Sequence, residues 1–450
     1  MGSVKTAINL TRMNPSQPNK SRIYALLNLT ALIGFSLLLE SCNDQCEDQY
    51  KYSYYEPVYT PLSVIRSSVA VDEPRPITGV GKIYFKDGYL FVNEPGMGIH
   101  VIDNHDPEHP MPKHFITIPG NVDMAIQNNI LYADSYIDLV ALDITNPDQV
   151  VEVSRLENIF IHYNSMGFYV DEQKGLVTGW EEKVEVEITE SPCDASFQPW
   201  GGYYYRGGVV MYEGDLLAMK GSTAAASSTG VGGSMARFTI NADHLYMLDA
   251  GNIHTADITN PTELIKESTS FLSWDIETIF PYGDKLFIGS SSGMHILSLE
   301  DPANPIKVST YTHVRSCDPV VVDGETAYVT LRSGNQCDGF TNQLEVINVA
   351  DWTAPALVKS YPMYNPHGLG IDQSLLFVCD GDAGLKIYDA TDQQNIDKHL
   401  IKHYTNIHAF DVIPFNDVLM LIGEDGIYQY DYSDPTNIRL LSRLNITSEE

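Results

Sequence analysis

Basic residues are scarce in this 450-residue chain: 27 Lys and Arg stand against 59 Asp and Glu, for a formal net charge of −32. A surface of that sign repels polyphosphate and anionic headgroups, which excludes nucleic acid and bare anionic membrane as partners. Cysteine is also rare, with six residues, and no CxxC or HExxH spacing occurs. Zinc-finger, dithiol and metalloprotease chemistries therefore have no foundation here. Nor is there a nucleophile elbow or a phosphate-binding loop. Helical periodicity is nearly missing, which excludes all-α and α/β classes.

One long apolar run is present, residues 23–39, interrupted only by Asn28, Thr30 and Ser36. It is shorter than the ~20 residues of a typical membrane span. Lys5, Arg12, Lys20 and Arg22 precede it, so residues 1–41 read as a signal peptide. Met13 offers an alternative start. The following Leu39-Glu40-Ser41-Cys42 resembles the lipobox of bacterial lipoproteins, with Glu40 departing from the usual small or apolar residue. That resemblance implies lipidation of Cys42. The next residues, Asn43 to Gln49, resemble the acidic export signals of some Bacteroidetes-type lipoproteins, and residues 42–60 read as a solvated tether. The expected address is the cell envelope, as an outer-membrane lipoprotein, with the external face favoured over the periplasm.

The rest of the chain repeats one phrase eight times. Tyr89-Leu-Phe-Val-Asn-Glu94 precedes Gly98-Ile-His-Val-Ile-Asp103; Leu375-Leu-Phe-Val-Cys-Asp380 precedes Gly384-Leu-Lys-Ile-Tyr-Asp389. A large residue marks each copy: Phe91, Tyr132, Val177, Tyr246, Phe287, Tyr328, Phe377 and Met420. The third copy is weak, and its second strand is displaced to about Val209–Tyr212. Most spacings lie near forty residues, room for four short strands closed by Gly, Asp-Pro and Asn-Pro turns. The expected fold is all-β: a β-propeller of about eight four-stranded blades, or seven with one aberrant unit, over residues 61–450. An insertion is expected near 181–207. Residues 61–71 read as a strand that completes or reinforces a terminal blade. The third-strand phrases, such as Leu139-Val-Ala-Leu-Asp143, resemble the LVIVD repeat of cell-surface proteins over about residues 60–447. Membership implies a surface propeller and no shared activity.

In a propeller the innermost strands line a central channel. Stepping nine or ten residues back from the marker residues gives Lys82, Asp123, Arg237, Glu277, Asp318, His367 and Asp411, expected around one mouth. Such carboxylates suit a hard cation such as Ca²⁺, although Lys82 and Arg237 favour a salt-bridged ring over a metal cage. Trp200 and Tyr203 lie in the insertion, expected to overhang the same mouth as an aromatic lid or a plug. Cys317 and Cys337 fall on one edge of one blade and are expected to pair, whereas Cys379 reads as a buried thiol. The Gly/Ser/Ala-rich residues 221–234 read as a loop or linker. Two function classes follow. One is a binding or scaffolding module for a protein or glycan. The other is an envelope hydrolase or lyase acting on a carbohydrate or lactone, with His367, His408 and Asp411 as its acid–base group.

Overall fold

Short runs rich in Val, Ile, Leu and aromatic residues, each closed by Gly, Asn or Asp, set the architecture. A computed structural model describes residues 45–160, 169–171, 173–192, 231–313, 319–333 and 341–447. The chain is a β-propeller. Eight antiparallel sheets answer to the eight copies of the phrase. Seven are blades of four consecutive strands: blade 1 (residues 83–117), blade 2 (124–156), blade 3 (238–271), blade 4 (276–312), blade 5 (320–362), blade 6 (369–404) and blade 7 (409–445). The eighth comes from the weak third copy and has three strands among the described residues, Gln45–Thr60, Gly175–Pro192 and Val170–Asp171.

Neighbouring inner strands run in order from blade 1 to blade 7, and blade 2 meets blade 3 directly. The second strand of each blade is covered on both sides, which is why it reads as a continuous apolar run rather than an alternating one. Leu90, Phe91 and Val92, for example, are all at most 3% exposed. Seven of the eight marker residues sit in these strands and are buried. Several reach the next blade: the Tyr246 hydroxyl donates to Pro302 O of blade 4 at 2.9 Å, and the Phe377 ring meets Tyr432 of blade 7 at 5.2 Å. In blades 1, 4, 6 and 7 glycine opens the third strand because the fourth strand's carbonyl occupies the space of a Cβ. At Gly384 (φ +90) an added Cβ would stand 1.8 Å from Tyr404 O, and at Gly98 2.0 Å from Ile116 O.

The turns from third to fourth strand share one device. The Asp or Asn ending the third strand accepts the N–H two residues on, and a second Asx residue three positions later does the same. Asp143 accepts from Thr145 N at 2.8 Å and Asn146 from Asp148 N at 3.1 Å. The pair recurs at Asp257 and Asn260, Asn348 and Asp351, Asp389 and Asp392, and Asp431 and Asp434.

Among the described residues the ring closes without exchanging a strand between the chain ends. Blades 1 and 7 share an apolar seam of Ile83, Leu90, Val92, Ile413, Met420 and Ile422. Ile77 bridges Ile446, and Asn104 and Gln429 exchange two side-chain hydrogen bonds of 2.8 and 2.6 Å. Residues 61–71 differ from expectation. Leu62–Arg66 is a short helix, held because Asp138 accepts two bonds from the Arg66 guanidinium. Only Ala70–Asp72 is a strand, and it extends the outer edge of blade 1.

The chain divides into two compact units, 57–181 with 209–450 and 1–56 with 182–208. In the second, the described residues belong to the two long strands, Gln45–Thr60 and Gly175–Pro192. Most of the expected tether is thus β-strand, and the Tyr52 hydroxyl donates to Glu185 of the partner strand at 2.9 Å. Among the described residues no helix is long and apolar enough to cross a membrane. The leader and Cys42 lie outside the described residues.

Candidate functional site

Four of the seven expected mouth residues come together at the axial end of the inner strands: Lys82, Asp123, Arg237 and Asp411. All four stand nine positions before their blade's marker residue. His367 and Glu277 stand ten before, and in a strand one residue changes the direction of a side chain. Glu277 is half-buried and occupies a bulge between Ile276 and Thr278. The backbone of blade 6 instead offers Gly368 at the axial position, where a Cβ would lie 2.0 Å from Asp411 Oδ1. Asp318 lies outside the described residues.

The axial end is filled by the chain itself. Residues 231–237, the end of the stretch read as a linker, run from blade 1 to blade 3 across the inner strands. Val231 and Gly232 pair with Phe85 and Tyr84 of blade 1. Ser234 donates its N–H and hydroxyl to Asp411 of blade 7 at 3.2 and 3.1 Å, and its Oγ accepts Leu369 N of blade 6 at 2.6 Å. Met235 O accepts Lys82 Nζ at 2.6 Å, Ala236 O accepts Ile279 N of blade 4 at 2.8 Å, and Arg237 N donates to Asp123 of blade 2 at 2.5 Å. With Leu248 N of blade 3 donating to Arg237 O at 2.9 Å, six blades hold one strap of seven residues. Lys82, Asp123 and Asp411 are each at most 2% exposed, so the expected open mouth is a sealed polar plug.

Burial dominates the electrostatics. It lowers the Lys82 ammonium to about 8, opposed by the Asp123 charge, and it pushes the Asp123 carboxyl up. Asp134, behind Asp123, is pushed up to about 6 by burial, although its Oδ1 accepts Val122 N, Asp123 N and Asn121 Nδ2 at 2.8 to 2.9 Å. Beside them is a cavity of about 10 Å³, lined by Asp123, Asp134, Arg237 and Asp249, the size of one water. Among the described residues no three His, Cys, Asp or Glu side chains are arranged to hold a metal ion. Asp123 and Asp411 are engaged by N–H, hydroxyl and ammonium donors.

His367 is buried on the same side of the ring, its ring meeting His408 and Phe410 at 5.8 and 5.3 Å. Of the residues offered as an acid–base group, His408 also bonds Asp382 through Nδ1 at 2.6 Å, and Asp411 accepts from Ser234. Cys379 is fully buried, as expected. Cys317, Cys337, Trp200 and Tyr203 lie outside the described residues.

Sequence reasoning missed the pins that hold the loops on this face. Asp380 is fully buried and accepts Tyr364 N and Asn365 N at 3.0 and 2.8 Å, the role Asp134 plays for residues 122–123. The signal was available: several second-strand phrases end in a carboxylate, as at Glu94, Asp134, Asp249 and Asp380. Large side chains point outward on this face, that of Tyr364 from the loop pinned by Asp380. Trp274 is 83% exposed, Tyr364 63%, Phe271 55% and Met97 50%.

No protein-family model matches the sequence, and no curated protein does. Solved structures of similar backbone course include the computationally designed Ika8 protein, at TM-score 0.49 and 8% identity, covering 84% of this chain and 91% of that one. Sqt1 of Saccharomyces cerevisiae follows at 0.47 and 10%, covering 84% and 88%. BamB of Moraxella catarrhalis is similar at 0.45 and 8%, covering 85% and 97%.

Proposed function

We propose that this chain is a lipid-anchored LVIVD-type propeller of the bacterial outer membrane, and that it binds a protein or glycan partner on the face carrying Trp274 and Tyr364. The observation that carries this reading is the placement of exposed aromatic residues on loops that are themselves held rigid. Folding gains nothing from an indole left in water, and a large apolar group on a preorganised loop is what a binding surface needs. The basic leader, the apolar run and Leu39-Glu40-Ser41-Cys42 support the address.

A photo-crosslinking residue placed in living cells at Tyr364 or Met97 should trap a partner, and one placed at Thr145 or Thr436 on the opposite face should not. Crosslinks confined to the opposite face would overturn the reading. The anchor has its own test: Cys42→Ala should release a membrane-sedimenting protein into the soluble fraction or leave its leader uncleaved. Unchanged extraction, by detergent only, would remove the lipoprotein assignment.

A further inference from the structure

Of all large side chains described, Trp274 stands out in the loop that joins blade 3 to blade 4. The loop is fixed on two sides. Leu272 N donates to Gly251 O at 2.8 Å, and Gly251 (φ +97) must be glycine there, since a Cβ would lie 2.6 Å from Ser273 O. On the other side Ser291 N donates to Asp275 O at 2.9 Å. The indole leans on the Phe271 ring, 4.8 Å between centroids at 60°, which sets its orientation while leaving it in water.

Next to this platform the polar groups have a definite sense. Asp275 accepts hydrogen bonds from the hydroxyls of Ser273, Ser291 and Ser292, and these hold its carboxyl below the usual range against the effect of burial. With their protons directed at Asp275, the serine oxygens retain only lone pairs for a ligand. The ledge is therefore an acceptor surface beside a carboxylate: it welcomes O–H donors and repels anions. An aromatic plane flanked by acceptors matches a sugar ring, which has a C–H face to lay on an indole and hydroxyls at its edge.

We infer that Trp274, backed by Phe271 and flanked by the Asp275 and serine ledge, is a subsite for an uncharged hexose or pentose unit of a glycan. The inference rests on the proposed binding role of this face and names the ligand class for one part of it. Its chemistry excludes uronic acids and phosphates.

The test titrates the full chain with neutral hexasaccharides (cellohexaose, mannohexaose, xylohexaose and chitohexaose), with anionic hexagalacturonate and with hexalysine, followed by calorimetry and indole fluorescence. At least one neutral hexasaccharide should bind. Trp274→Ala should weaken it by about tenfold or more and Trp274→Phe by a smaller factor, as expected for loss or shrinkage of a stacking face. The melting temperature should hold throughout, because so exposed a side chain supports little of the fold. Hexagalacturonate should not bind. Failure of every neutral saccharide at millimolar concentration, or an affinity unmoved by Trp274→Ala, overturns the inference. Hexalysine binding that depends on Trp274, without saccharide binding, would reassign the platform to a basic protein segment and overturn it as well. Crosslinks at Tyr364 that persist in any of these cases would leave the wider reading of the face standing.

Discussion

The two faces of the ring use aspartate in opposite ways. On the face where third strands pass to fourth, each Asp stays near water and caps a turn of two or three residues, and the same pair of turns returns in most blades. On the other face several aspartates are buried. Asp134, Asp380 and Asp411 reach across to backbone of a different strand or blade, and no two make the same set of bonds. A local cap depends only on its own few residues, so it can be copied blade after blade. A buried pin must match one particular loop, so each is individual, and the loops it holds are free to differ in sequence. Rigidity is thereby combined with variety on one side only, the side bearing the exposed aromatic residues.

The strongest way to break this contrast is at Gly368. Gly368→Val places side-chain carbon where Asp411 Oδ1 and Ser234 Oγ now lie, 2.0 and 2.9 Å from the added Cβ. Asp411 must leave the strap, and a buried carboxylate without its donors costs about 3 kcal/mol or more. Thermal unfolding should fall by about 5 °C or more. An unchanged melting temperature would mean that the strap is not fixed to blade 7.

A second experiment asks whether the buried pins carry a penalty that the exposed caps do not. Asp134 has a folded pKa of about 6 against an unfolded 3.8. The folded protein then binds this proton more tightly, so the contribution of Asp134 to stability is greatest below pH 4, declines as pH rises from 4 to 6, and levels off above. Asp134→Asn keeps an oxygen for Val122 N and Asp123 N while removing the charge. It should flatten the decline, which is about 3 kcal/mol for a shift of that size. Melting curves at pH 4, 5, 6 and 8 read the slope directly; a slope identical in the variant would show that Asp134 is not its source.

How much of this was legible in the sequence follows from the same contrast. The blades could be read because the phrase, its markers and its Asx turns are local and repeated, so register and turn chemistry recur in phase. The weak copy around Val177, with its displaced second strand, marked the unit that differs from the others, with three strands among the described residues. The site was harder. Stepping back nine or ten residues treated Lys82 and His367 as equivalent, although one position in a strand separates an axial side chain from one beside Phe410. The strap was opaque because residues 231–237 have no periodicity and bond to six blades at once, so nothing nearby in sequence identifies their partners. Residues 61–66 misled for a related reason: an apolar run fits helix or strand, and the Asp138 side chain that settles it lies about seventy residues away.

The caps of the uniform face should show smaller and additive effects. Asp143, Asp257 and Asp389 are held below the usual carboxylate range by the hydroxyl and N–H of Thr145, Thr259 and Thr391. Their stabilisation is present above an unfolded value near 4 and is lost as pH falls through the lower folded value, opposite in sign to Asp134. Each Asp→Ala change should cost about 0.5–1 kcal/mol at neutral pH. The three together should sum, because they lie in separate blades and share no partner. A triple variant falling far outside that sum, read from denaturant unfolding, would mean that the blades are coupled through these turns.

The smallest expected change separates the outward side of the varied face from its pins. Tyr364 owes its position to backbone: its N–H is held by Asp380, which is held in turn by Lys386, while its ring is left 63% exposed. Tyr364→Ser keeps both the N–H and the pin, so stability should change by no more than about 0.5 kcal/mol. Asp380→Ala leaves the ring in place but removes the acceptor from two N–H groups and an ammonium, and should cost several times more. If the face evolved to bind, the two variants should also invert in a second readout: Tyr364→Ser should reduce crosslinking from a probe at Met97 while the fold is unaffected. Equal stability loss in both variants would show that the ring, and not only the loop beneath it, belongs to the framework, and the division between buried pins and presented side chains would fail at this position.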